Sequence, residues 1–177
     1  MAELIAYFSR AGENYFSGAL RTVSVGNTEI AAKMMQEATG ADLFKIEPLQ
    51  PYAEDYNTCI AQAQDDQRRN ARPELAGYPD SLEGYDTIYL GYPNYWGTMP
   101  MPVFTFLEHF DFAGKTIRPF CTHEGSGLGR SEDDIRRLCP GAKVEKGLAL
   151  HGSSVKEAQE DVERWIRRLG DKKTAVK

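Results

Sequence analysis

Short apolar runs alternate along the whole chain with stretches in which apolar positions recur every three or four residues. The first kind of run predicts strands, the second amphipathic helices. Leu4 to Phe8 is the first strand, and Thr28 to Ala38 a helix with Ile30, Ala31, Met34 and Ala38 on one stripe and Gly40 at the C-terminal cap. Ala41 to Ile46 is the second strand, stopped by Pro48 and Pro51. Glu54 to Asn70, rich in Ala, Gln and Asp, is only weakly amphipathic and predicts an exposed helix, followed by a loop through Pro73, Gly77 and Pro79. Thr87 to Leu90 is the third strand. Val103, Phe106, Leu107 and Phe110 then recur at helical spacing as core residues, and Thr116 to Cys121 is the fourth strand. Ser131 to Leu138 predicts a helix in which Ser131 and Asp134 stand as a capping box. Lys143 to Leu148 is the fifth strand. Ser154-Val155-Lys156-Glu157 repeats the capping device before a last helix striped by Val155, Ala158, Val162, Trp165 or Ile166, and Leu169, with Trp165 packed in the core.

Five strand and helix units in this order predict a mainly parallel sheet. The 177 residues read as one domain, with residues 171–177 as a frayed tail.

Charge narrows the functional classes. With 21 basic and 26 acidic residues the net charge is −5, and no face is rich in Lys or Arg, which disfavours a nucleic-acid binder. The basic run Arg164, Arg167, Arg168, Lys172 and Lys173 reads as a solvated helix end. Cys59, Cys121 and Cys139 lack metal-ligand spacing, and His109, His123 and His151 are scattered, so no metal is expected. The N-terminus lacks the pattern of a secretory signal, and no apolar run approaches the roughly 20 residues of a membrane span. A reducing cytoplasm is the expected location.

Three loops, after strands one, three and four, have ligand-loop composition. The first, from Ser9 to Thr28, ends in Gly26-Asn27-Thr28 where the first helix begins. Backbone N–H groups at a helix start, with hydroxyls of Ser9 and Thr28, suit an anion, although the same residues also make an ordinary turn and cap. The second, Pro93-Asn94-Tyr95-Trp96-Gly97, sets two adjacent aromatics between turn residues, directly after an apolar strand. In an open α/β sheet that position faces the ligand crevice, and a flat ligand able to stack on rings is the natural partner. The third, Thr122-His123-Glu124-Gly125-Ser126-Gly127, offers glycine-rich backbone whose N–H groups are free to meet a ligand edge.

This combination resembles the flavodoxin-like family. Tyr7-Phe8-Ser9-Arg10 and Gly26-Asn27-Thr28 look like the two ends of its phosphate loop, Tyr92 to Gly97 like the loop that covers the isoalloxazine ring, and Cys121 to Gly127 like its third loop. The resemblance extends over nearly the whole chain. It implies a doubly wound, five-stranded parallel sheet in order 2-1-3-4-5 within a three-layer αβα sandwich, with FMN as cofactor. Ser9, Asn27 and Thr28 would meet the phosphate with Arg10 nearby. Pro93, Asn94, Tyr95, Trp96 and Gly97 would line the ring, with Trp96 or Tyr95 stacking on it. Thr122, His123, Glu124, Gly125 and Gly127 would meet its edge.

Two departures stand out. About fifteen residues, Ala11 to Val25, are inserted in what is normally a tight phosphate turn; Glu13, Asn14, Tyr15 and Phe16 either fold over the cleft as a lid or hang outward, with the outward or partial-lid reading favoured. Glu124 stands where a second glycine is expected, and an inward carboxylate would disfavour an anionic reduced flavin.

The resemblance implies either electron transfer to a redox partner protein or reduction of a quinone or other small acceptor by NAD(P)H. The net charge of −5, modest for a carrier that docks by charge steering, tilts the reading toward the reductase. The alternative is a flavodoxin-like domain without FMN, acting as a binding or structural module. A homodimer across the cleft stays open. No acidic pair follows the first strand, against a response regulator, and no Ser/His/Asp or Cys/His arrangement supplies a catalytic residue.

Overall fold

The first apolar run becomes β1 (Ala2–Tyr7), whose last four residues are all buried, as a strand covered on both faces requires. The structure is a computed structural model describing residues 2–175, with side chains through residue 169. β1 pairs in parallel with β4 (Asp42–Lys45) on one side and β5 (Tyr85–Pro93) on the other, and β5 with β6 (Thr116–His123). The far side of β6 is shared by β7 (Lys143–Val144) and β8 (Leu148–His151), both parallel to it. The expected order 2-1-3-4-5 is therefore present, with the fifth place split between two short strands.

The split corrects the single strand expected from Lys143 to Leu148. The Gly147 N–H donates to Glu132 Oε2 at 2.8 Å, and the Lys146 carbonyl accepts from Trp165 Nε1 at 3.2 Å, so both leave the ladder for side-chain partners. The third strand is longer than expected, because Tyr92 and Pro93 pair with Cys121 and Thr122. The loop it supports begins at Asn94.

Alternate residues of β1 serve the two faces. Ile5 and Tyr7 join Tyr89, Phe120, α1 (Asn27–Thr39) and α5 (Gln159–Ala175) in one core. Leu4, Ala6 and Phe8 join Leu90, Ile117, α3 (Met101–His109) and α4 (Ser131–Leu138) in the other. The stripe of α1 is rotated from the expected one: Ala31, Ala32 and Met35 are buried, and Ala38 is exposed. Ala158, Val162, Trp165 and Leu169 are buried as expected, with Trp165 edge-on to Tyr89 at 6.0 Å.

Neither capping box forms. Arg130 holds the cap position of α4, while Ser131 Oγ donates to the Leu128 carbonyl at 2.7 Å and accepts from the Tyr92 hydroxyl at 2.8 Å. Asp134 accepts from Thr98 Oγ1 at 2.5 Å. Tertiary partners outcompete the local cap. Gly152–Glu157 winds as a 3-10 turn before α5. Residues 171–175 of the expected tail continue α5, and residues 176–177 lie outside the described residues.

The Ala11 to Val25 insertion is a β-hairpin. β2 (Gly12–Phe16) and β3 (Ala19–Val23) pair antiparallel, Tyr15 opposite Leu20. Ser17 and Gly18 turn between them with φ of 45° and 95°, the double positive φ of a two-residue turn matched to strand twist. α2 (Tyr56–Arg68) follows β4, capped by the Asp55 carboxylate, which accepts from Thr58 N at 2.8 Å.

Candidate functional site

A cavity of about 410 Å³ opens at the carboxyl ends of β5 and β6, within the size range of small-molecule sites. All three ligand loops reach it: Asn27 from the first, Pro93 to Gly97 from the second, and Thr122, His123, Glu124 and Ser126 from the third. Asn14 and Tyr15 of the hairpin, Tyr56, Ile60 and Ala63 of α2, and Gly152 complete the lining.

At the start of α1, Gly26 is the cap residue and supplies no side chain. Ser9 Oγ instead accepts from the Glu29 N–H at 3.0 Å, and Ile30 N–H returns to the Gly26 carbonyl. The N–H groups of Asn27 and Thr28 have no intrahelical partner and carry the positive end of the helix dipole. Thr28 Oγ1 meets Thr122 Oγ1 at 2.8 Å, and this buried hydroxyl pair fastens the first loop to the third.

The aromatic loop is held by backbone. Tyr95 and Thr98 exchange N–H···O bonds of 2.8 and 3.3 Å around Trp96 and Gly97, whose φ values are 55° and 88°. A tryptophan in the left-handed region is strained, and the paired bonds hold it there. Its indole N–H donates to the Ile60 carbonyl at 2.8 Å, and the residue remains 44% exposed. Tyr95 turns inward, edge-on to Phe8 at 5.9 Å and Tyr52 at 6.4 Å; burial raises its hydroxyl pKa well above the usual range. Asn94 Oδ1 accepts from Gly97 N at 2.9 Å and its Nδ2 donates to the Gly127 carbonyl at 2.8 Å, binding second loop to third.

In the third loop, His123 Nδ1 accepts from Gly125 N at 2.8 Å, which places the imidazole proton of the neutral ring on Nε2. Burial, and then the neighbouring His151, lower the His123 pKa. The Glu124 carboxylate accepts from Ser153 Oγ at 2.7 and 2.9 Å and from Ser17 N at 3.3 Å, with His151 Nδ1 at 3.5 Å. Gly152 permits this crowding: a Cβ there would lie 2.6 Å from Asn27 Nδ2 and 2.8 Å from Glu124 Oε1.

Of the residues expected at the site, Asn27, Pro93, Asn94, Tyr95, Trp96, Gly97, Thr122, His123 and Glu124 line the cavity. Ser9, Gly26, Thr28, Gly125 and Gly127 are not in the lining; Ser9, Thr28 and Gly127 instead bond the Glu29 N–H, Thr122 Oγ1 and Asn94 Nδ2. Arg10 does not face the cavity; its guanidinium donates to the carbonyls of Glu13, Ala53 and Glu54 and to Asn14 Oδ1. The contribution of α2 was missed because only Tyr56, Ile60 and Ala63, spaced four and three apart, carry it on an otherwise polar helix. The hairpin had a signal: Ser17-Gly18 between Tyr15-Phe16 and Ala19-Leu20 is a two-residue turn flanked by strand formers.

Among the described residues no group of three or more His, Cys, Asp or Glu is placed to hold a metal ion, and no helix is long and apolar enough to cross a membrane.

A family model described as flavodoxin matches residues 3–169. A candidate flavoprotein from Bacteroides uniformis is 32% identical, with a TM-score of 0.73 over 94% of this chain and 97% of that one. A second, from Bacteroides eggerthii, is 27% identical with a TM-score of 0.70, covering 91% and 97%. A flavoprotein from Lactobacillus acidophilus, solved in complex with FMN, shares the fold at 21% identity and a TM-score of 0.63, covering 88% and 97%. No curated protein matches the chain.

Proposed function

We propose, since the chain belongs to the flavodoxin family, that it is a redox protein that holds FMN in the cavity at the carboxyl ends of β5 and β6. The observation that carries this reading is the convergence of a helix N-terminus, an aromatic loop and a glycine-rich loop on that one cavity. The FMN complex of the Lactobacillus acidophilus flavoprotein supports it.

The residues present fit the group. The free N–H groups at the start of α1, with the Asn27 amide, suit a phosphate. Trp96, Tyr56 and Pro93 offer ring faces and apolar edges to a flat heterocycle. The backbone from Thr122 to Ser126 presents N–H and carbonyl groups to its polar rim. Gly152, with no side chain, lets Asn27 and Glu124 close together at the edge of the cavity.

When bound, FMN supplies the redox chemistry, and the protein supplies position and electrostatics. Glu124, with its charge beside the site, disfavours added negative charge on the bound group and so lowers its potential. His123 stays neutral at neutral pH and offers Nε2–H as a donor toward the cavity.

Two features favour an NAD(P)H-dependent reductase of quinones or other small acceptors over a carrier between proteins. The hairpin crosses the cavity and narrows access, and the net charge of −5 gives little steering toward a basic partner. Purified protein is expected to show flavin absorption in the visible, or to acquire it on titration with FMN. A colourless protein that takes up no added FMN overturns the flavin reading. Steady-state turnover of quinones with NADPH is the second measurement: no turnover alone, restored by an added reductase protein, returns the carrier role.

A further inference from the structure

We propose that the β2–β3 hairpin is a strap that retains the flavin, with Tyr15 as a residue contacting the ring and Glu124 as the latch for the hairpin tip; this rests on the FMN reading above.

The hairpin reaches from one bank of the cavity to the other. Its base is fixed to the approach to α2. Arg10 clamps the carbonyls of Ala53 and Glu54, Glu13 N donates to the Glu54 carbonyl at 3.3 Å, and Glu13 Oε1 accepts from Tyr56 N at 3.0 Å. Its tip is fixed to the third loop and the turn after β8. Ser17 N donates to Glu124 Oε2 at 3.3 Å, Ser17 Oγ meets Ser153 Oγ at 2.7 Å, and Ser153 Oγ meets the same carboxylate. Between the anchors, Asn14 and Tyr15 face the cavity, and the Tyr15 ring stacks on Tyr56 at 6.1 Å and 25°.

The two anchors are unequal. The base is held at four points, by the Arg10 guanidinium on two carbonyls, the Glu13 carboxylate and one backbone pair, the tip by the Ser17 N–H and two hydroxyls around a single carboxylate. Neither strand of the hairpin contains a buried residue, and an isolated two-stranded hairpin is marginal in water, so the anchors fix its place. Opening therefore begins at the tip, and a group lying beneath Tyr15 leaves only after Glu124 has let go. The same insertion that lengthens the phosphate loop thus turns an open cleft into a covered one.

The test loads the wild-type chain, Glu124→Ala, Ser153→Ala and Tyr15→Ala with FMN and follows release on dilution by the recovery of free-flavin fluorescence. A hydrogen bond to a charged group and an aromatic contact are each worth enough to predict release roughly tenfold faster in Glu124→Ala and several-fold faster in Tyr15→Ala. Glu124 acting only through its charge on the phosphate gives the opposite sign, slower release on its removal, and overturns the latch. Hydrogen exchange in the flavin-free protein is the independent readout. The Ser17 amide is expected to exchange faster in Glu124→Ala and Ser153→Ala, with amides of β1 and β5 unchanged. Unaltered Ser17 exchange, or wild-type release rates in the variants, overturns the proposal. A wild-type chain that binds no FMN overturns the flavin reading itself, and the strap with it.

Discussion

Near its two ends β6 carries charge in opposite circumstances. Arg118, close to the start, is 3% exposed. Its guanidinium lies over the Tyr89 ring at 5.4 Å, donates to the Tyr89 hydroxyl at 2.8 Å, and stands 3.5 Å from Glu145 and 3.6 Å from Glu3. Among the described residues its Nε and Nη2, and Glu145 Oε2, have no hydrogen-bond partner. Glu124, just past the other end, is only partly buried and has both oxygens bonded. The enclosed charge is surrounded by neighbours within and beside the sheet, whereas the open one joins the hairpin tip to the third loop and the turn after β8. One strand thus divides its labour between holding the sheet and serving the site.

Arg118→Ala carries the largest expected effect. Removing Arg118 leaves the enclosed Glu145 carboxylate with only the exposed Lys143 at 3.7 Å, so a loss of about 3 kcal/mol in urea unfolding is expected. The FMN affinity of the folded fraction should be unchanged, and a matching fall in affinity would mean that the two ends are not separate. The double change Arg118→Met with Glu145→Leu removes both charges and their desolvation, and should recover most of that stability in the same assay. Trp96→Ala is the converse experiment: FMN affinity, measured by flavin fluorescence, falls by about 1 kcal/mol, while the unfolding midpoint of this exposed position stays put.

The smallest expected effect is acid titration of His123. Its pKa is lowered in the folded protein, by burial first and then by His151, so folding favours the neutral ring. That contribution is fully present above the ordinary value of 6.5 and is lost as pH falls through the lowered one. NMR titration should place the His123 midpoint below 6.5, and below that again in Glu124→Gln, since the carboxylate opposes the shift. An ordinary midpoint would put His123 outside the enclosed part of the site.

Most of the fold was legible because buried parallel strands announce themselves as apolar runs, and three of their loops carry turn residues in the ligand positions. What escaped depended on competition between partners. Ser131 is placed in sequence to cap α4, but Tyr92 and Leu128 claim its hydroxyl. Lys143 to Leu148 has the composition of one strand, yet Glu132 and Trp165 draw Gly147 and Lys146 out of it. Arg10 sits in the motif beside the expected phosphate, but the Glu13 carbonyl of the hairpin and the Ala53 and Glu54 carbonyls before α2 take its guanidinium first. The hairpin hid its strands by burying nothing. Periodicity reports burial, and an exposed ribbon held by its two ends leaves little trace in the pattern.

The broken fifth strand has a consequence for the protein among its neighbours. An uninterrupted outer strand presents a row of unpaired backbone groups on which another chain can grow a sheet. Here that border consists of two residues in β7 and four in β8, separated by a stretch turned toward Glu132 and Trp165. A foreign strand finds no straight run to extend along this border, so the interruption guards that edge, opposite β4, against edge-to-edge aggregation in a crowded solution.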